Sequence, residues 1–221
     1  MTHRLQAVLF DLDGTLVDSA PDLAGACNEM RVERGLAPLP YVQLRRMVGS
    51  GARGMVGVSF GSVPETPGYS ELRDEFLARY EARMTRETRV FDTIVPVLAW
   101  LEQASLPWGI VTNKATRFAV PLVAALGLAE RAAALVCGDT VAQSKPHPAP
   151  LLEAARRLGL APEHCAYVGD DRRDVDAGRA AGMLTVVAGW GYLGDGDAPT
   201  EWGADHLIAR PDELPGLIDG A

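Results

Sequence analysis

Five short apolar runs recur in the second half of the chain, at 107–111, 134–137, 165–168, 184–187 and 206–209. The first three are each followed by a segment that reads as a helix: 115–126, 146–158 and 171–181. An apolar run this short, bounded by turn residues, reads as a buried strand. Strands that alternate with helices pair side by side through crossovers, which makes the sheet parallel and covers both of its faces. Leu5 to Phe10 is a sixth run of the same kind, and a helix over 91–104 leads into the second. The expected fold class is therefore α/β: a Rossmann-like parallel sheet with helices on both faces.

The segment between the first run and residue 91 breaks this alternation. Helices are expected at 19–35, at 41–48, after Gly51, and at 69–86, with a loose stretch rich in Gly, Ser and Pro over 57–68. Ser19 or Asp18 is placed to cap the first of these, with Pro21 in its first turn. Residues 17–90 thus read as a small all-helical insertion after the first strand. Residues 1–16 and 91–221 read as one α/β unit.

Ligands of open parallel sheets collect at the carboxyl ends of the strands. Asp11, Asp13 and Thr15 follow the first strand, and Thr112, Asn113 and Lys114 follow the second. The loop after the third reaches Ser144 and Lys145. Gly169, Asp170, Asp171 and Asp174 follow the fourth. Carboxylates converging there suit Mg²⁺, while a lysine and backbone amides suit an anion. Each piece has an ordinary explanation in turn chemistry or helix capping. Their coincidence on one edge, in this order, does not. Arginine also accounts for 19 of the 21 basic residues, so the two lysines, Lys114 and Lys145, stand out as sites where a compact charge matters.

Composition narrows the function classes. With 29 acidic against 21 basic residues the formal charge is −8, and no basic cluster is visible, so no nucleic-acid partner is expected. The longest apolar stretch, Phe118 to Ala129, is shorter than the ~18–20 residues of a membrane span and contains Pro121. The opening MTHRLQAVLFD has no cleavage-like site, so no signal peptide is expected. Cys27, Cys137 and Cys165 are scattered and form no CxxC, which fits small core residues in a reducing, cytoplasmic setting. Gly49-Ser50-Gly51-Ala52-Arg53-Gly54 satisfies GxGxxG but follows a helix, which excludes a dinucleotide site. It reads better as a mobile loop facing the sheet edge, with Arg53 as an anion-binding residue.

Asp11-Leu12-Asp13-Gly14-Thr15-Leu16-Val17 resembles the first signature of the haloacid-dehalogenase-like phosphohydrolases. Val111-Thr112-Asn113 resembles the second, Ser144-Lys145-Pro146 the third, and Gly169-Asp170-Asp171-Arg172-Arg173-Asp174 the fourth. The resemblance spans the chain, and the helical insertion stands where this family carries a small cap. It implies that Asp11 is the nucleophile and that Asp13 is the acid and then the base. It further implies Mg²⁺ on the Asp11 and Asp170 carboxylates and the Asp13 carbonyl, with Thr112 and Asn113 on the phosphate. Lys145 would offset charge and Asp174 would support the metal or Lys145 from behind. Lys114 faces either substrate or solvent.

An acid at Asp13 is needed to expel an alkoxide but not a halide, which excludes dehalogenation. The expected activity is a Mg²⁺-dependent phosphomonoesterase acting on a small phosphorylated metabolite. The layout resembles phosphoglycolate phosphatases. Trp108 to Lys114, Gly51 to Val56 and Trp190-Gly191-Tyr192 resemble N-acetylmuramic acid 6-phosphate phosphatases more closely. A phosphohexose mutase uses the same two carboxylates and is the alternative of a different class. In either phosphatase reading Arg53 is expected to meet a substrate carboxylate.

Overall fold

A computed structural model of the chain describes residues 4–219. Six parallel strands form its main sheet: β1 (Ala7–Phe10), β4 (Trp108–Val111), β5 (Ala134–Val136), β6 (Cys165–Gly169), β7 (Leu184–Ala188) and β8 (His206–Ile208). Their order is β5-β4-β1-β6-β7-β8, which puts β1 at the centre between β4 and β6. The register pairs Phe10 with Ile110 on one side and with Val168 on the other. The residues after these strands therefore emerge at one edge.

Alternation along β1 divides the core. Val8 and Phe10 face a cluster built with Leu98, Leu101, Trp108 and Leu122, while Ala7 and Leu9 face one built with Leu151, Ala154, Tyr167 and Ala177. The first cluster is covered by α5 (Val95–Gln103), α6 (Thr116–Ala125) and α9 (Leu214–Asp219). The second is covered by α7 (Ala149–Leu158) and α8 (Arg172–Ala181). Helices lie on both faces, as the alternation requires.

Four helices lie between β1 and α5 in sequence: α1 (Ala20–Glu33), α2 (Tyr41–Met47), α3 (Gly51–Phe60) and α4 (Tyr69–Arg83). They share their own apolar cluster, around Cys27, Met30, Leu44, Met55, Phe76 and Tyr80, which also takes in Phe118 from α6 and Tyr192. The stretch 17–90 is not wholly helical. Its ends form a two-stranded antiparallel ribbon, β2 (Val17–Asp18) with β3 (Arg89–Val90). Two-residue strands have no period to read, and their pairing is set by chain ends some seventy residues apart.

Just beyond the ribbon, the fully buried Asp22 accepts hydrogen bonds from the backbone of Glu87 (3.0 Å) and Thr88 (2.9 Å) and from the Thr88 hydroxyl (2.8 Å). The Arg83 guanidinium lies 3.3 Å from the same carboxylate. A Cβ on Gly25 would stand 2.1 Å from that guanidinium, so glycine is what lets it in. The start of α1 and the end of α4 are thereby locked together.

The segment 49–54 is not a loop. Gly49 and Ser50 close a short 3-10 turn, and Gly51 opens α3, so Arg53 is helical and exposed. The three cysteines are buried and unpaired, and burial pushes the Cys27 and Cys165 thiols up to about 11. Among the described residues no helix is long and apolar enough to cross a membrane.

Candidate active site

A cavity of about 510 Å³ opens where the strand ends meet α1, α3 and α4. Asp11, Asp13, Thr112, Asn113, Lys114, Lys145, Asp170 and Asp174 all line it, so the structure gathers these residues at one place. Arg53 does not line it. A residue at the third position of α3 points away from a cavity that Gly51 and Ala52 touch.

Asp11 leaves β1 with its N–H donating to the Val168 carbonyl (2.9 Å), which aims it at the gap between β1 and β6. Beyond it the chain turns sharply through Gly14, whose φ of +89° suits glycine. A Cβ on Gly14 would also collide with Asp170 Oδ2, at 2.2 Å. The absence of that side chain lets Asp170 approach.

Lys145 Nζ is the hub. It donates to Asp11 Oδ1 (2.8 Å), Asp174 Oδ1 (2.7 Å) and the Tyr167 hydroxyl (2.7 Å), which uses all three of its hydrogens. The Tyr167 hydroxyl donates onward to the Val111 carbonyl (2.8 Å). Burial opposes the Lys145 charge, but Asp11 and Asp174 outweigh it and hold the ammonium above the ordinary lysine range. Asn113 sets the position of this lysine: its carboxamide accepts from the Lys145 N–H and donates to the Lys145 carbonyl, both at 2.9 Å. Expected on the phosphate, Asn113 lines the cavity while both ends of its carboxamide bond the Lys145 backbone.

Asp174 does two jobs. Its Oδ2 accepts from the Asp171 N–H (3.1 Å), completing a capping box with Asp171 at the start of α8. Its Oδ1 takes Lys145. A Cβ on Gly169 would lie 2.4 Å from the Asp174 carboxyl carbon, so this approach too depends on a missing side chain.

Asp170 has no basic partner among the described residues. Its oxygens accept from the Thr15 hydroxyl (2.9 Å) and the Tyr192 N–H (2.7 Å). Burial, with Asp11 and Asp174 beside it, raises its pKa well above the usual carboxylate range despite those two hydrogen bonds. Burial likewise outweighs Lys145 at Asp11, which is raised to about 6. Asp11, Asp170 and Asp174 bring carboxylate oxygens within 4.8 Å of one another. Three carboxylates share one ammonium, and an incoming phosphate would add to the excess. The donor set, all oxygen and short of positive charge, fits a hard divalent cation. The oxygens of Asp174 already accept hydrogen bonds, which leaves Asp11 and Asp170 as the carboxylates with most to gain from it.

Asp13 stands apart from this group. Lys114 Nζ donates to both of its oxygens (2.9 and 2.8 Å), and the Ser19 hydroxyl donates to Oδ1 (2.5 Å). Lys114 therefore faces Asp13, not bulk solvent, and lies 4.9 Å above the Tyr80 ring of α4. Ser19 precedes α1 but makes no side-chain cap, having given its hydroxyl to Asp13. Thr112 is buried, and its hydroxyl accepts from the Lys114 N–H (3.1 Å).

Ser19, Tyr167 and Tyr192 were not among the candidate site residues, although all three hold the site together. Tyr192 is the most connected. Its N–H meets Asp170, while its hydroxyl accepts from the N–H groups of Ser19 (2.8 Å) and Ala20 (3.0 Å) and donates to Asp18 (3.0 Å). The available signal was Trp190-Gly191-Tyr192, directly after β7 on the same sheet edge. Gly191 again makes room, since a Cβ there would lie 2.1 Å from that of Asp170.

Comparison with known proteins agrees with this architecture. The family model for haloacid dehalogenase-like hydrolases matches residues 8–188, and the chain belongs to that family. An N-acetylmuramic acid 6-phosphate phosphatase of Pseudomonas putida is 45% identical over 218 residues, covering 99% of this chain and 98% of that one. A phosphoglycolate phosphatase of Xanthomonas campestris pv. campestris is 50% identical over 210 residues, covering 95% and 94%. Among solved structures, a predicted phosphoglycolate phosphatase from Haemophilus somnus superposes with a TM-score of 0.84. It is 24% identical and covers 97% of this chain and 98% of its own, a likeness of fold.

Proposed function

We propose that this haloacid dehalogenase-like hydrolase is a Mg²⁺-dependent phosphomonoesterase that works through an aspartyl phosphate on Asp11. One observation carries the reading. Asp11 is gripped by Lys145 through Oδ1 alone, and its Oδ2 takes no hydrogen bond among the described residues while Asp11 lines the cavity. An oriented carboxylate with one free oxygen is a nucleophile in waiting.

Asp11 Oδ2 attacks phosphorus, and the bond to the leaving oxygen breaks. Asp13 gives that oxygen a proton, so it departs as an alcohol. Asp13 then takes a proton from water, the water oxygen attacks the same phosphorus, and the bond to Asp11 breaks to release phosphate and free carboxylate. The Thr112 hydroxyl and neighbouring backbone N–H groups hold phosphate oxygens. Lys145 offsets charge between nucleophile and phosphate, Asp174 and Asn113 keep it in place, and Lys114 with Ser19 orients Asp13. The Asp11 and Asp170 carboxylates and the Asp13 carbonyl would hold Mg²⁺, which when bound neutralises part of the charge gathered on phosphate and carboxylates. Residues 17–90 act as the cap over a core of 1–16 and 91–221.

Relatives are named for two substrates, phosphoglycolate and N-acetylmuramic acid 6-phosphate. A cavity of about 510 Å³ with Leu23, Phe76, Leu77 and Phe118 in its wall is ample for a sugar and generous for glycolate, which favours the larger ester. The test is phosphate release from both esters, with Mg²⁺ or with chelator, and without any sugar bisphosphate. Mg²⁺-dependent release is expected. A requirement for a bisphosphate, with no free phosphate formed, would establish the mutase instead.

A further inference from the structure

The cavity is lined by four basic side chains, and three are spoken for. Lys145 is spent on Asp11, Asp174 and Tyr167, and Lys114 on both oxygens of Asp13. Arg173 forms a fork with Asp171, at 2.8 Å through Nε and 2.8 Å through Nη2, and also donates to the Gly49 carbonyl. Arg117 is the fourth. It makes no ion pair and no side-chain hydrogen bond among the described residues, and it is exposed at the cavity rim in the first turn of α6. Its guanidinium carbon lies 4.3 Å from the centroid of the Phe118 ring. That ring is itself buried against Tyr80, centroid to centroid at 5.7 Å. Contact with the ring face holds the guanidinium at the rim while leaving its N–H groups unused, which makes it available to an anion.

The phosphate end of the cavity already has Lys145 and the proposed cation site. The wall between there and Arg117 is largely apolar. A second anionic group on the substrate, carried beyond the phosphoester oxygen, therefore finds one free cation to pair with. We propose that Arg117 is the specificity-determining residue of this site and binds a carboxylate on the leaving group of the phosphomonoester. The inference rests on the phosphomonoesterase reading and adds to it the class of ester preferred: one whose alcohol part is also a carboxylic acid.

Two matched pairs of esters isolate the carboxylate. N-acetylmuramic acid 6-phosphate differs from N-acetylglucosamine 6-phosphate by an ether-linked lactic acid, and phosphoglycolate differs from ethyl phosphate by oxidation of the terminal carbon. Wild-type protein with Mg²⁺ is expected to prefer the carboxylated member of at least one pair. A charge-assisted hydrogen bond accounts for about a tenfold to hundredfold difference. Arg117→Ala should lower kcat/KM for that ester by roughly this factor, chiefly through KM, and change its carboxylate-free partner by less than about threefold. Arg117→Lys should recover only part, because it keeps the charge without the fork. Arg53→Ala serves as the comparison arginine on the same assay. Equal losses on both members of a pair, no loss on either, or a loss of selectivity in Arg53→Ala and not in Arg117→Ala would each overturn the inference. Wild-type protein that hydrolyses the carboxylate-free esters as well as the carboxylated ones would do the same. If wild type releases phosphate from none of the four, nor from p-nitrophenyl phosphate, the phosphomonoesterase reading falls first and this inference with it.

Discussion

Asp170→Asn is the substitution whose consequences run in opposite directions depending on the ion. Asparagine fits the existing bonds. Its carbonyl oxygen can accept from the Tyr192 N–H, and its amide can donate to the Thr15 hydroxyl, which reverses its role. What disappears is a charge buried without a basic partner. Leaving such a group uncompensated costs about 1–3 kcal/mol, so the metal-free variant should be more stable than wild type by about that much, or roughly 3–10 °C in Tm.

The pH dependence has a definite sign. Asp11, at about 6, and Asp170, well above 3.8, both hold protons more tightly folded than unfolded. Their contribution is therefore least unfavourable at low pH, and stability is lost as pH rises from about 4 through about 6 and beyond. The Tm gap between metal-free variant and wild type should accordingly be wider at about pH 8 than at about pH 5. Mg²⁺ at about 100 times its dissociation constant adds about 2.7 kcal/mol to wild type, and the variant should gain far less, so the order of the two narrows or reverses. Scanning calorimetry in chelator and in Mg²⁺, at both pH values, gives all four numbers. A metal-free variant less stable than wild type at pH 8, or a gap independent of pH, would refute the picture of a site short of positive charge.

Asp11→Asn keeps the shape and removes the attacking charge, so kcat should fall by at least ~10³-fold; near-normal turnover in freshly purified protein would contradict the covalent route. Lys145→Arg should lose more than about tenfold in kcat, because a planar fork cannot meet Asp11, Asp174 and Tyr167 from one point. Activity within about threefold of wild type would mean that charge alone suffices there. Asp22→Ala removes the acceptor of three hydrogen bonds and leaves the buried Arg83 short of a partner, which should cost about 3 kcal/mol in urea unfolding. A loss under about 1 kcal/mol would show that Glu29 and Glu87 hold Arg83 well enough by themselves.

All six main-sheet strands were legible because each is a short apolar run bounded by polar or turn-forming residues. The common direction of the first five follows from the helices between them, whereas β8 runs parallel to β7 after a crossover with only a 3-10 turn. That logic delivers Asp11, Asp13, Thr112, Lys145, Asp170 and Asp174 to one edge, since it needs only the order of elements. It does not deliver side-chain partners. Whether the Asn113 carboxamide meets phosphate or the Lys145 backbone depends on where a loop some thirty residues later returns. Lys114 could not be aimed from sequence for the same reason. The segment around Arg53 misled because three glycines in six residues suggest a loop, whereas burial of Met55 and Val56 among α1, α2 and α4 outweighs the propensity cost and makes it helical. Tyr167 looks like one more apolar strand residue, and only its hydroxyl, buried beside Lys145, gives it a role.

The ribbon of β2 and β3 returns the chain beside the point where it left. Topologically, everything between Asp18 and Arg89 is a single long hairpin loop hung on two pairs of residues. Closing a loop costs only about 0.6 kcal/mol for each doubling of its length. A lineage can therefore lengthen, shorten or exchange what hangs there with little thermodynamic resistance from the sheet, while β1 and the carboxylates behind it keep their register. The arrangement uncouples the sheet edge that carries Asp11 and Asp170 from the helices that wall the cavity beside it.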